Sequence, residues 1–258
     1  MRSTLNWSHD LLSEPEQVLF RRLPVFTSGF TLEAAEAVGA VSEVEPGEAM
    51  TLLGSLVEQS LVTAEPDADS AAGARYGMLE PVRQYALERL EEAGEAGEAE
   101  AIRRSHAAFF LTLAERAHPD LQTARQVEWL GRLDREYGNL RAAMSWALSE
   151  GEAEIATRLG WALWLFWWLR GYHDEGRRWM EAALEHELPA DLRARAANVA
   201  AAMAYSQADY QACERHCRVS MEMSLRAGDT LLEGYSWIGL GLLELSRGYP
   251  AWRVPYRC

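Results

Sequence analysis

Cys213, His216 and Cys217 come nearest, in residue type and spacing, to a chemical site in this chain. On one helix they fall at i, i+3 and i+4, so three soft ligands share a face and could converge on a metal such as zinc. The spacing does not place a fourth ligand, His186 or Cys258, and Cys-x-x-x-Cys is neither a zinc-ribbon knuckle nor a haem-attachment motif. Free cysteine is a common small core residue, so the expectation for Cys213 and Cys217 is burial at packing positions. The six histidines, His9, His106, His118, His173, His186 and His216, are scattered. No Gly-x-Ser-x-Gly, His-Glu-x-x-His or Gly-x-Gly-x-x-Gly run accompanies them. Glu14/Glu16, Glu91/Glu92 and Glu152/Glu154 read as solvated acids at helix ends. No catalytic, metal or cofactor-binding residue is assigned, and no enzyme is expected.

Composition narrows the classes further. All 25 basic residues among the 258 are arginine, which excludes Schiff-base chemistry, a lysine base and a phosphate loop ending in Gly-Lys-Ser/Thr. With 48% apolar and 25% charged residues the chain has the balance of a globular protein. Three cysteines are too few for a disulfide framework, and Met1 to Asp10 lacks the apolar run of an export signal, so a cytoplasmic setting is expected. The longest hydrophobic run, Leu159 to Leu169 between Arg158 and Arg170, is much shorter than the ~20 residues of a spanning helix.

The elements that would position any site fall into two textures, with a change near the acidic, glycine-punctuated stretch Glu91 to Glu100. Ser13-Glu14-Pro15-Glu16 starts a helix, and Val18, Leu19, Leu23 and Phe26 recur at helical spacing. Thr31 caps a second helix to Ala40. After Glu45-Pro46-Gly47 a third runs from about Glu48 to Ser60, with Leu52, Leu53, Leu56 and Val57 on one face. Leu61–Ala64 and Arg75–Leu79 flank a polar loop and read as a hairpin. Three helices and a hairpin make a winged-helix unit, and a fourth helix follows from Pro81 to Ala93, stopping at Gly94.

Beyond Glu100 the chain reads as helix, broken at Pro119, Gly151, Gly171, Pro189, Gly228 and Gly248. Arg170-Gly171-Tyr172, Ala208-Asp209-Tyr210 and Arg247-Gly248-Tyr249 fall 37 to 40 residues apart, each a turn between antiparallel helices. Trp237-x-x-Leu240-Gly241, and Gly176, Met180 and Ala183, fit the tetratricopeptide pattern of a first helix and of small packing residues in a second. The expected fold class is therefore all-α, mainly helical: a winged-helix domain at 1–94, a linker and helical region at 95–152, an α-α superhelix of tetratricopeptide-like repeats at 153–248, and an irregular tail at 249–258. Proline in that tail precludes the second helix of a last repeat, so a half repeat with an uncapped apolar face near Leu240, Leu242 and Leu243 is expected, and with it some self-association.

Leu5-Asn-Trp7-Ser8-His-Asp10-Leu-Leu12-Ser-Glu14, Leu23-Pro-Val-Phe26, Leu56-Val-Glu-Gln-Ser60-Leu61 and Leu79-Glu80-Pro-Val-Arg83-Gln-Tyr85-Ala86 resemble a segment of large bacterial regulators. These are the LuxR-type and related signal-transduction ATPases with numerous domains (STAND, NB-ARC-like). The likeness continues through Arg104-Ser-His106-Ala-Ala-Phe109, Asn139-Leu-Arg-Ala-Ala-Met-Ser-Trp146, Phe166-Trp-Trp-Leu-Arg170-Gly171 and Glu175-Gly176-Arg-Arg-Trp179, covering roughly Thr4 to Leu184. The resemblance implies a winged helix that packs on a P-loop module as a nucleotide-state sensor, and helical repeats that sense a ligand or partner. The chain would begin where that module ends, so the ATPase partner would act in trans; a non-functional gene fragment is an alternative. Where many relatives have Met-His-Asp against the nucleotide, this chain has Met78-Leu79-Glu80. Leu79, Glu80 and Arg83 are thus the inter-domain or nucleotide-sensor candidates, although leucine cannot donate to a phosphate and reads from the residues as the last core position of the hairpin.

Direct nucleic-acid binding is disfavoured by charge. Residues 1–94 carry six arginines against sixteen acids, and the helix that would enter a groove has Glu48 and Glu58 but no base. A DNA-binding winged-helix regulator is the rival reading. Trp161, Trp164, Trp167, Trp168 and Trp179 crowd one repeat; Trp161, Trp164 and Trp168 share a face from which Trp167 diverges. Most are expected in the core. Those left over would line a groove for a protein partner or small ligand, with Trp164, Trp167, Trp168, Arg170 and Tyr172 as candidates.

Overall fold

The computed structural model describes residues 2–39, 47–67, 73–92 and 97–248. The fold is mainly α, with one two-stranded sheet among the described residues. Two compact units divide the chain: residues 1–113 with 125–146, and residues 114–124 with 147–258. The expected helix ends at Ala40, Ala93 and Gly94, Glu45 and Pro46, the hairpin loop at 68–72 and the tail at 249–258 lie outside the described residues.

The first unit contains α1 (Arg2–Asp10), α2 (Glu14–Arg22), a 3-10 turn (Leu23–Val25), α3 (Leu32–Gly39), α4 (Ala49–Glu58), β1 (Thr63–Pro66), β2 (Ala74–Gly77), α5 (Glu80–Glu92), and most of α6 (Glu98–Asp120) and α7 (Gln126–Ser149). Ser13 opens α2: its backbone N–H donates to Glu16 Oε2 at 2.7 Å, satisfying a donor that the helix itself leaves orphaned. Glu16 also accepts from Ser55 Oγ on α4, so one carboxylate starts a helix and ties it to the next. Leu19, Phe20, Leu23, Leu53 and Leu56 are wholly buried and form the centre of this three-helix packing.

The strands differ from the sequence expectation. Leu61 and Val62 do not belong to β1, because Ser60 turns to φ +58° and the N–H groups of Leu61 and Val62 return to Leu56 O. They complete the exit of α4 in a Schellman-type turn and bury their side chains, and pairing starts at Thr63 opposite Gly77. Phe30 adds a bridge to Tyr76 through two 2.8 Å backbone hydrogen bonds, which fastens the wing to the start of α3. Gly29 permits this approach: its φ is +75°, and a Cβ there would lie 2.8 Å from Tyr76 O.

The second unit is built of helices: α8 (Ala153–Arg170), α9 (His173–Leu184), α10 (Ala190–Ser206), α11 (Tyr210–Ala227) and α12 (Thr230–Gly248), with the end of α6 against them. Gly171 and Gly228 close α8 and α11 in the left-handed conformation, and Ala208 takes the same conformation between α10 and α11. Asp209 caps α11 by accepting from the Ala212 N–H at 3.0 Å. Gly176, Met180 and Ala183 are buried on α9. Leu243 corrects an expectation. It is not part of an open face but is packed with Cys213, Cys217, Ala201 and Ala204, while Leu242 one residue earlier is partly exposed.

Candidate functional site

One side of the second unit encloses a cavity of about 360 Å³. Helix α8 contributes Trp161, Trp164, Leu165 and Trp168; α10 contributes Asn198, Ala201, Ala202 and Tyr205; α11 supplies Cys213 and Cys217; α12 supplies Tyr235, Ile238, Gly239 and Leu242. The helical period explains the α8 wall, since residues 161, 164 and 168 recur at i, i+3 and i+7. Ala201, Ala202 and Gly239 leave room in the lining because they carry little or no side chain. The Trp161 and Tyr235 rings meet with centroids 6.3 Å apart, joining the first and last walls. No lining side chain is charged.

The tryptophans therefore divide differently from the expectation that most are core. Trp167 alone of the five is wholly buried, Trp161, Trp164 and Trp179 are half-buried, and Trp168 is exposed. Trp167, a ligand candidate by sequence, lies under Gly176 and Met203 and does not reach the cavity. Arg170 and Tyr172 also lie off its lining; Tyr172 packs its ring on Phe166 at 5.8 Å. Only Trp164 and Trp168 of the five candidates are brought together. Sequence reasoning missed Tyr235 and Ile238, whose part depends on α12 folding back across α10.

Cys213 and Cys217 are buried, 1% and 2% exposed, as expected of core cysteines. Hydrogen bonding between the two thiols draws Cys213 below the ordinary thiol range and, together with burial, pushes Cys217 up. His216 turns away from them to Glu181, 3.1 Å distant. That carboxylate also takes Arg177, which reaches on to Asp209 and Gln207. The described residues hold no cluster of metal-ligating side chains.

In the first unit, the candidates around the start of α5 are satisfied by one another. Arg83 forks onto both oxygens of Glu80 at 2.8 and 2.9 Å and donates to Pro24 O at 3.2 Å. Hydrogen bonding from Arg83 holds the Glu80 carboxyl below its usual range. Leu79 is 62% exposed and so is not the core residue expected from the hairpin pattern; its carbonyl instead accepts from the N–H groups of Val82 and Arg83 at the start of α5.

Charge on the winged helix follows the same mutual pairing. Arg21 and Arg22 meet Glu98, Arg75 meets Glu136, Arg83 meets Glu80 and Arg89 meets Glu92. The outward residues of α4, the helix just before the wing, are Met50, Thr51, Gly54 and Glu58. A buried polar centre that sequence reasoning passed over stands behind the wing. Asn139 on α7 accepts from Thr27 N and donates to Gly29 O and Glu136 Oε2, each at 2.9 Å. Its signal was a helix-disfavouring amide amid apolar neighbours.

The family described as a winged helix-turn-helix domain matches residues 12–91. The chain carries that domain. A Mycobacterium tuberculosis H37Rv protein with the name "Putative HTH-type transcriptional regulator" is 37% identical over 187 residues, 72% of this chain and 20% of its own length. A Mycobacterium bovis protein of the same description matches to the same extent. A second, uncharacterised M. tuberculosis H37Rv protein is 44% identical over 105 residues, 40% of this chain and 26% of that protein. The chain thus spans about a fifth of the length of the first relatives. No solved structure matches it. No described helix is long and apolar enough to cross a membrane.

Proposed function

We propose that the chain is a non-catalytic regulatory segment of a signal-transduction-ATPase type of transcriptional regulator. Its helical hairpins, read as tetratricopeptide-like repeats, receive a ligand or protein partner in the groove walled by Trp164 and Trp168. Its winged helix packs on a nucleotide-binding module supplied elsewhere, with Leu79, Glu80 and Arg83 at that contact, so that occupancy of the repeats biases the nucleotide state. The observation that carries this reading is the pairing of Arg21, Arg22, Arg75, Arg83 and Arg89 with carboxylates. Guanidinium groups committed in this way are not free to displace counterions from phosphates, and the outward side of α4 offers no base, only Glu58, to a phosphate backbone. An exposed apolar Leu79 beside them suits a protein contact.

A second reading, direct DNA binding by the winged helix, is favoured by the domain match at residues 12–91 and by the HTH-type name of the relatives. A salt titration separates the two. Fluorescence anisotropy with mixed-sequence duplexes between 50 and 200 mM salt should give no saturable binding if the winged helix is a protein-packing element. Affinity that falls by about a thousandfold or more over that range would instead establish several phosphate contacts and sink the first reading.

A further inference from the structure

We propose that the cavity between α8, α10, α11 and α12 binds a flat, predominantly apolar small molecule without negative charge, stacked against Trp164 and Trp168 and hydrogen-bonded by the Asn198 side chain. The proposal rests on the regulatory reading only for its purpose; its chemistry stands on the cavity. At about 360 Å³ the space lies at the small end of the ~300–1,000 Å³ typical of small-molecule sites. Three indoles on one wall favour a planar ring system, because aromatic pairing adds to the burial of apolar area. Ile238 and Leu242 on the opposite wall are 59% and 40% exposed, so a ligand seated between the walls would remove apolar surface from water.

Charge decides the class. The lining is made of Trp, Leu, Asn, Ala, Tyr, Cys, Ile and Gly, and it offers no cationic side chain to pair with an anion. The chain as a whole carries −14, which adds repulsion for anions. Arg195, the base stacked on Trp161, lies in a separate depression with Glu115, His118 and Arg158. An anionic ligand would therefore be desolvated without compensation. Asn198 offers an amide that can donate and accept, and no hydrogen bond of this side chain is found among the described residues, so a carbonyl or hydroxyl on the ligand has a partner. A helical peptide fits less well: the Trp161–Tyr235 contact joins two walls of the cavity, whereas a docked helix needs a through-running groove with anchors at i, i+3, i+4 and i+7.

Two fluorescent probes with the same skeleton test this on the full chain. N-phenyl-1-naphthylamine is neutral, and 8-anilinonaphthalene-1-sulfonate adds one negative charge. The neutral probe should bind saturably at one site, at least tenfold tighter than the sulfonate, with energy transfer from tryptophan. Trp168→Ala should weaken it tenfold or more, and Leu242→Arg, at the partly exposed mouth, should shift preference toward the sulfonate; both variants are checked for native circular dichroism. Equal affinity for the two probes, absence of saturable binding, or indifference to Trp168→Ala and Leu242→Arg in folded protein would overturn the proposal. Failure of the regulatory reading would appear separately, as salt-dependent duplex affinity with the probe results unchanged.

Discussion

The indole of Trp167 lies across Gly176 so closely that a Cβ at residue 176 would stand 2.6 Å from Trp167 Cε3. This contact sets the approach of α8 to α9. On propensity alone, alanine in a helix is favoured over glycine by about 1 kcal/mol. Here the rigid, fully buried ring cannot withdraw, so Gly176→Ala should destabilise the chain by ~1–3 kcal/mol in urea unfolding. Gly160 provides the comparison. A Cβ there meets the end of the Met180 side chain, at 2.2 Å from Cε, and an unbranched thioether can rotate aside. Gly160→Ala should therefore cost less than Gly176→Ala. The reverse order would show that Trp167 does not set the spacing.

Glu98 fastens the start of α6 to the end of α2. Its carboxylate takes Arg22 Nε at 2.9 Å and Arg21 Nε at 3.3 Å, and Arg22 is 1% exposed with a further bond to Gly39 O. Removing the acid takes the Glu98 carboxylate away from a buried guanidinium. Glu98→Ala should cost about 3 kcal/mol, whereas Arg21→Ala, which removes a partly exposed partner, should cost less than about 1 kcal/mol. Equal effects in urea titrations would contradict this division.

Asn139 gives a third test. Its side chain satisfies Thr27 N and Gly29 O, both from the loop that carries Phe30 to the wing. Asn139→Ala would leave partly buried backbone groups without this partner, at ~1 kcal/mol. Hydrogen exchange at the amides of Phe30 and Tyr76 should accelerate in this variant, and unchanged exchange would mean that the loop holds its place without α7.

What could be read in the sequence was what local physics decides. The Ser13-to-Glu16 cap, the left-handed glycines Gly171 and Gly228, and the shared face of Trp161, Trp164 and Trp168 each follow from a few neighbouring residues. Leu61 and Val62 misled because an apolar, β-branched pair looks the same leaving a helix as entering a strand. Asn139 escaped because its partners lie more than a hundred residues away, at Thr27 and Gly29. Tyr235 and Ile238 escaped for a similar reason: no pattern within α12 reports which helix it will face.

Ala208 carries a left-handed φ of +58° just after α10, a conformation that glycine supplies after α8 at Gly171 and after α11 at Gly228. A Cβ in that conformation crowds the following carbonyl. Ala208→Gly removes that strain but adds freedom to the unfolded chain, so the net gain should be modest, ~0.5–1 kcal/mol, seen as a higher melting temperature. A loss of stability would mean that the Ala208 methyl contributes packing that outweighs its backbone strain.

His106 makes stability depend on pH. It is 2% exposed, between Phe26 and Phe110, and its Nε2 has no hydrogen-bond partner. Burial brings its pKa down from 6.5 to about 4, against a smaller opposing effect of hydrogen bonding with Asn139. Below pH 6.5 the unfolded chain takes up a proton that the folded chain refuses. Stability is therefore full above 6.5 and falls as pH drops toward 4, where the loss levels off at roughly 3 kcal/mol. Between pH 6.5 and 5, above the carboxylate range, the fall should be about 1.5 kcal/mol. His9 is lowered too, by burial and by Arg89, and contributes in the same direction. Comparing His106→Phe, which keeps a ring of similar size, with the native chain isolates the one residue, since His9 is common to both. Urea titrations across this range should give a flatter profile for His106→Phe, and parallel profiles would show that His106 accepts its proton in the folded state.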